Sequence, residues 1–378
     1  MLTFNDVPPN SPQGSGVGAP TQGAASNAIQ TAWDPWFQLN TPLAPVVLPI
    51  GLVDIAAAMA ADTMGSMPVA ACLTYCGLYL IPEPATGVLC AQTFMARLPS
   101  HHRRTADEIL GIALSLAVAL NQGYQFFGSR LRVNALFGGP LWMKPWQGDG
   151  PDYLLANTIE FAFMEVKSRG KKCVKRPYKF CEHKTQSVNA QLNPVLFGIN
   201  PPVRYLLSYA NLPASSKVPS LRAATVQWFN ATTPEATNRG TGIGPTILIA
   251  VALSQFMSQI ENAGHDPERL LGRGTRLPKG FDEHTNYAVE RSSSADAAIG
   301  FSLRALRLFR YINQYFRQLR AGRTSSALRT RRSNQGRYLS RALLKLKETV
   351  PVSVNWRDRQ HAPRYIYATG IFIVTWGG

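Results

Sequence analysis

Several groupings in this sequence carry residue types that perform chemistry, and each stops short of a working pattern. Gly240-Thr241-Gly242-Ile243-Gly244-Pro245-Thr246 precedes an apolar run, the place from which a glycine-rich loop offers helix N–H groups to phosphate. No Lys-Ser or Lys-Thr pair follows, the spacing departs from G-x-G-x-x-G, and Pro245 removes one N–H donor. The segment is read as a structural loop and helix start. Cys173, Cys181 and His183 lie close together and Cys72 and Cys76 are four apart, yet neither set supplies a CxxC pair or four zinc ligands. Buried thiols and a surface His are expected instead. The 22 carboxylates include no D-x-D or E-x-x-E cluster on an apolar helix to hold a divalent cation. Asp282-Glu283-His284, the tight acid–His grouping, falls in a Gly/Pro-rich stretch and reads as a solvated turn, and His101-His102-Arg103-Arg104 reads as an exposed turn ahead of a helix. No Ser, Cys or Thr has an evident base beside it. The sequence therefore predicts no enzyme, no metal, no cofactor and no small-molecule substrate.

The chemistry that is present in quantity is anion recognition. Between Phe301 and Lys347 stand thirteen Arg and Lys residues and no Asp or Glu: Arg304, Arg307, Arg310, Arg317, Arg320, Arg323, Arg329, Arg331, Arg332, Arg337, Arg341, Lys345 and Lys347. Charges of one sign at this density repel one another unless something acidic faces them. Arg forks match phosphate oxygens, and each neutralised phosphate releases counterions, so nucleic acid is the first candidate partner. An acidic protein surface and an anionic lipid headgroup are the others. A smaller cluster between Lys167 and Lys184 contributes Lys171, Lys172, Lys175 and Arg176, interleaved with Tyr178 and Phe180.

The elements that must carry these charges follow from periodicity. At about 100° per residue, Phe301, Ala305, Leu308, Phe309, Ile312, Tyr315, Phe316 and Leu319 share one helical face, with Arg307, Arg310 and Arg317 opposite and Arg304 at the flank. After a break at 321–326, a second run predicts Tyr338, Leu339, Ala342, Leu343 and Leu346 inward and Arg337, Arg341 and Lys345 outward. Two helices docked by their apolar faces are expected, with Arg329, Arg331 and Arg332 on a basic turn between them.

Elsewhere the pattern is mixed. Residues 1–30 are rich in Pro, Gly, Ser, Ala, Asn and Gln with one charge, Asp6, and predict an arm that is disordered or ordered only on neighbouring subunits. Trp33, Trp36 and Phe37 would anchor it as subunit contacts. Helices are predicted at Val53–Met64, at Ile109–Gln122 with Thr105 as N-cap and Glu108 at N3, at Leu154–Val166 capped by Asp152, and at Thr246–Ile260. Val69–Ile81 suits a strand or a buried helix. Strands are expected near Gly87–Phe94, Leu131–Phe137, Val203–Tyr209, Leu221–Phe229, Val350–Val354 and Arg364–Trp376, with a long polar loop over 264–285. His361-Ala362-Pro363-Arg364 matches an H-x-x-R element of recombinases that use a downstream Tyr. Tyr367 is the last tyrosine, and the β-like residues around it exclude that reading.

The composition bounds the class. With 45% hydrophobic and 10% aromatic residues the chain can bury a real core, predicted as an α+β, α-rich single compact unit over residues 31–378 with short strands and irregular Pro-rich segments. Charged residues make up only 16%, with 27 prolines and a net charge of +17, which suits a surface covered by neighbouring subunits. Five cysteines imply no disulfide framework, no signal peptide is evident, and no apolar run is long enough to span a bilayer.

Trp146-Gln147-Gly148-Asp149, leading into the predicted helix Leu154–Met164, resembles a stretch in the clamp proteins of turreted reoviruses, as does the apolar helix Thr246–Ile260 placed before a basic C-terminal third. The resemblance implies a protein that studs and cements the outside of an inner double-stranded-RNA shell. With the arm, the sparsely charged body and the basic helices, it points to a structural subunit of a virus particle, a capsid or cementing protein. Such a subunit is assembled in the host cytoplasm among copies of itself, other shell proteins and RNA, away from membranes. A non-viral ribonucleoprotein component, without an RRM, KH or OB signature, and an enzyme with a site assembled from scattered residues are the alternatives.

Overall fold

The computed structural model describes residues 1–7, 46–62, 68–137, 152–157, 161–169, 204–232, 245–272, 281–284, 287–290, 297–321, 326–348, 365–369 and 371–376. The architecture is α+β, with helices packed around a mixed seven-stranded sheet. Its strands are β1 (Leu2–Val7), β2 (Val46–Leu48), β5 (Phe126–Ser129), β6 (Tyr153–Ala156), β7 (Phe161–Arg169), β8 (Arg204–Asn211) and β9 (Thr225–Thr232), in the order β2-β1-β9-β8-β7-β6-β5. The β1–β9 and β7–β8 pairs are parallel and the rest antiparallel. A five-stranded antiparallel sheet, in the order β10-β11-β12-β14-β13, joins β10 (Phe281–His284), β11 (Tyr287–Glu290), β12 (Ala297–Ser302), β13 (Tyr365–Ala368) and β14 (Phe372–Trp376). Between β2 and β5 run the helices α1 (Leu52–Ala60), α2 (Val69–Tyr79) and α3 (Ser100–Asn121), with a small hairpin of β3 (Leu80–Pro82) and β4 (Leu89–Ala91). α4 (Arg130–Leu136), α5 (Pro245–Asn262), the single turn α6 (Pro267–Leu270), α7 (Leu303–Ala321) and α8 (Ser326–Glu348) complete the helices.

The apolar all-round helices enter the core as expected. α3 buries Leu110, Leu114, Leu116 and Val118, and α5 buries every residue from Ile247 to Phe256. Two glycines set how closely they approach the sheet. A Cβ on Gly111 of α3 would collide with the Ser168 side chain of β7, and one on Gly128 of β5 would lie 2.7 Å from Ser254 Oγ of α5. Gly128 is in register with Leu154 and Leu154 with Phe163, while Ser168 points to the other side of β7. α3 and α5 thus meet the sheet from opposite faces. A buried hydroxyl chain pins the α3 side: Ser208 of β8 donates to Ser115 Oγ at 2.7 Å, and Trp228 Nε1 of β9 donates to Ser208 Oγ at 3.1 Å. On the α5 side, the Phe256 ring stacks on Phe309 of α7 at 4.1 Å and meets Phe301 of β12 edge-on at 5.3 Å. Trp376 Nε1 of β14 donates to the Val69 carbonyl of α2 at 3.0 Å, tying the second sheet to the helices.

Several expectations are corrected. Leu2–Val7 is a strand between β2 and β9, with Leu2 and Phe4 buried, so the first seven residues belong to the chain's own sheet rather than to an arm. Residues 8–30 lie outside the described residues. The segment after Asp152 is the antiparallel pair β6–β7 and not a helix, which removes the helical half of the Trp146–Met164 resemblance. Asp152 caps no helix; its Oδ2 accepts the Val166 N–H at 2.8 Å. Leu131–Phe137 is mostly helical, because Ser129 stands at the N-cap with its Oγ accepting from Arg132 N at 3.4 Å. α3 starts at Ser100, so His101 to Arg104 form its first turn. Thr105 lies inside it and donates to the His101 carbonyl at 3.1 Å. The 264–285 loop contains α6, whose Asp266 cap accepts from Glu268 N, and Asp282-Glu283-His284 belong to β10.

Candidate anion-binding surface on the basic helices

α7 and α8 are docked on each other and on α5. α7 buries Ala305, Leu306, Phe309, Ile312, Tyr315 and Phe316, a stripe at helical spacing, and Phe316 meets Phe137, the residue that ends α4, edge-on at 5.3 Å. α8 buries Gly336, Leu339, Ser340 and Leu343. Gly336 lets it close down where Tyr315 Oη and Thr246 Oγ1 stand 3.3 Å apart, since a Cβ there would lie 3.3 Å from Tyr315 Oη. With these faces occupied, the charged faces point outward.

Arg304, Arg307, Arg317, Arg320, Arg337, Arg341 and Lys345 are exposed. Arg310 is half-buried, and its Nε donates to the Leu270 carbonyl at 3.1 Å. Arg317 pairs with Glu268 of α6, the one carboxylate joined to this surface among the described residues. Two large aromatics stand among the cations: Tyr311 of α7 is 64% exposed and Tyr338 of α8 is 72% exposed. Tyr338 was expected inward; the buried face of α8 runs through Gly336 and Leu339 and turns Tyr338 out to solvent. Arg329, Arg331 and Arg332 are helical residues of α8 rather than a turn. Arg323 and the cluster Lys171, Lys172, Lys175 and Arg176 lie outside the described residues, as do Trp33, Trp36 and Phe37.

A groove of about 700 Å³ runs along α7, lined by Leu271, Arg307, Arg310, Tyr311, Asn313, Gln314, Arg317, Gln318 and Ala321. Periodicity marked the arginines but passed over Asn313 and Tyr311. The signal for Asn313 was an amide set beside Phe309 and Phe316 on the buried side of the wheel. A second cavity, of about 180 Å³, lies among Ala57, Gln125, Gln255, Gln259, Phe309 and Ile371, and among the described residues no titratable side chain lines it.

The remaining titratable features are embedded. Burial raises the Cys72 thiol to about 12 and pushes the Cys76 thiol up further, with Cys72 adding to the effect, so neither is a nucleophile near neutral pH. Burial, then the Asp152 carboxylate, raises Glu165 of β7 from 4.5 to about 7, against the pull of Lys167, which donates to it. Among the described residues no three His, Cys, Asp or Glu side chains converge as metal ligands, and no helix is long and apolar enough to cross a membrane. What this surface can do chemically is hold an extended anion against cations and exposed aromatic faces. Comparisons with protein families, with curated proteins and with solved structures find no match to this chain.

Proposed function

We propose that the chain is a structural subunit of a virus particle whose helices α7 and α8 face packaged nucleic acid. The observation that carries this reading is the outward face of those helices, where among the described residues seven exposed Arg and Lys residues have one paired carboxylate, Glu268, and are interspersed with exposed Tyr311 and Tyr338. Cations alone fit any polyanion. Aromatic rings presented to solvent among them favour unpaired bases over an acidic protein surface, because every base offers a face to stack on. The low charged fraction and the proline-rich composition support a subunit surrounded by neighbours. The resemblance read in the sequence, an apolar helix ahead of a basic C-terminal third as in reovirus clamp proteins, is the reason to hold a cementing role against an acidic shell surface as the second reading.

Light scattering and negative-stain microscopy of the purified protein, with and without RNA at low and moderate salt, test the proposal. RNA-dependent closed particles or regular arrays are expected. RNA binding by the Arg337→Ala, Arg341→Ala double variant should have a salt slope shallower by about two, one for each lost phosphate contact. Arrays indifferent to RNA favour the cementing role. A monomer that ignores both salt and RNA sinks the proposal.

A further inference from the structure

Asn313 is the anomaly in the α7 groove. Its residue exposure is 1%, and neither its Nδ2 nor its Oδ1 has a hydrogen-bond partner. Among the described residues no other buried side-chain amide lacks partners for both atoms. A buried donor and acceptor left unmade are expensive, whereas an apolar side chain of the same shape would be nearly neutral there. The neighbours on that side of α7, Leu306, Phe309 and Phe316, are apolar, so a Leu would suit the site better for stability alone. Asn313 nevertheless lines the α7 groove together with three arginines, at the boundary between the apolar and the basic faces of the helix.

Resting on the nucleic-acid reading above, we infer that this groove grips a single strand of RNA, with one base hydrogen-bonded edge-on by Asn313 and the next stacked on Tyr311. A phosphate accepts only, so it satisfies Nδ2 and leaves Oδ1 unmade. A base edge that sets an amino donor beside a ring-nitrogen acceptor satisfies both, as adenine N6 and N7 do for a carboxamide. Asn313 and Tyr311 are two residues apart, about 160° around the helix axis by the shorter way. One base cannot touch both across a helix about 10 Å wide. The chain between two bases, however, crosses the intervening face, and that face holds Arg310, Arg317 and Arg307 for its phosphates. The groove volume of about 700 Å³ is of ligand size. Because Asn313 is almost wholly covered, entry of the base requires a covering side chain to move. Arg310, held to the Leu270 carbonyl, exchanges that bond for a phosphate as it does so. A duplex hides its base edges and faces and binds only to the cations.

The test is fluorescence anisotropy on the full chain with labelled oligo(A), an RNA duplex of equal length, and poly-glutamate as an acidic polypeptide. Asn313→Leu should weaken oligo(A) about tenfold, and Tyr311→Ala should do the same. Both should leave duplex binding within twofold, and the melting temperature of Asn313→Leu should be unchanged or higher. Tyr311 is exposed, so its variant keeps the test decisive if Asn313→Leu fails to fold. Oligo(A) binding that neither variant changes overturns this inference, and salt-dependent duplex binding in the same experiment leaves the basic-surface reading standing. Poly-glutamate binding as tightly as oligo(A) and indifferent to both variants overturns it in favour of an acidic protein partner. No binding to any of the three probes overturns both.

Discussion

Glu165 illustrates how one residue sets the pH response of the fold. Its carboxyl sits in β7 opposite the Asp152 end of β6, with Lys167 as its cation and Oε2 buried without a hydrogen bond. Burial raises its pKa from 4.5 to about 7, so between those values the folded chain holds a proton that the unfolded chain has released. Stability from this group is therefore fully present below about 4.5 and declines as pH rises to about 7, after which it is constant. Glu165→Gln cannot release the proton, so the variant should lack this decline. Denaturation midpoints from pH 4 to 8 check it: the wild-type curve should fall relative to the variant over about pH 5–7. Parallel curves would mean that folding leaves the proton affinity of Glu165 unchanged. The same reasoning explains why Cys72 and Cys76 are packing groups: a thiol that titrates far above neutrality is a small hydrophobe.

At the scale of elements, close packing of α5 on β5 rests on Gly128. An alanine there brings its Cβ to 2.7 Å from Ser254 Oγ and 2.8 Å from Ser254 Cβ, below any real contact, so α5 must shift and disturb the Phe256–Phe309 stack beyond it. Gly128→Ala should lower stability by about 1–3 kcal/mol, the usual range for an overpacked core, read as a fall in the denaturant midpoint with an unchanged slope. Ser254 Oγ is buried and unpaired, so Ser254→Gly removes the obstacle, and the Gly128→Ala penalty should shrink in that background. Which elements were legible in the sequence follows from how well one period excluded the other. α7 and α5 were, because an amphipathic stripe or an apolar run too long for a strand admits only a helix. The β6–β7 pair was not: Tyr153, Leu154, Leu155 and Ala156 are all buried, and a strand covered on both faces has no alternation to betray it. Thr105…Glu108 has the form of a capping box, yet the helix begins five residues earlier, and the Thr105 hydroxyl bonds back to the preceding turn. In the binding surface the arginines were visible as a charge pattern. Asn313 was visible only as a polar letter on an apolar face, since its lack of partners depends on what packs around it.

The whole molecule depends on its first strand, where the sequence suggested an arm. Residues 1–30 as a whole are rich in Pro, Gly, Ala, Ser, Asn and Gln, which masked the short apolar run at their start. β1 pairs with β2 on one side and runs parallel to β9 on the other, in register from Thr3 opposite Thr225 to Val7 opposite Phe229. Leu2 is buried, and the Phe4 ring meets Trp228 edge-on at 5.3 Å, against the same Trp228 whose indole N–H holds the Ser208–Ser115 chain beneath α3. Removing Leu2–Val7 strips β9 of a neighbour, exposes its unpaired backbone groups and empties the site beside Trp228. The loss of the Phe4 side chain alone is worth about 3–5 kcal/mol, a large part of the 5–15 kcal/mol by which domains are stable. Deletion of Leu2–Val7 should therefore give a monomer that is already partly unfolded, with lost near-ultraviolet circular dichroism and a shifted Trp emission. Phe4→Ala should lower the melting temperature without abolishing the fold. A strand that served only contacts between subunits predicts the reverse, a fully folded deletion monomer that fails to assemble. Circular dichroism and light scattering on the same deletion sample decide between the two.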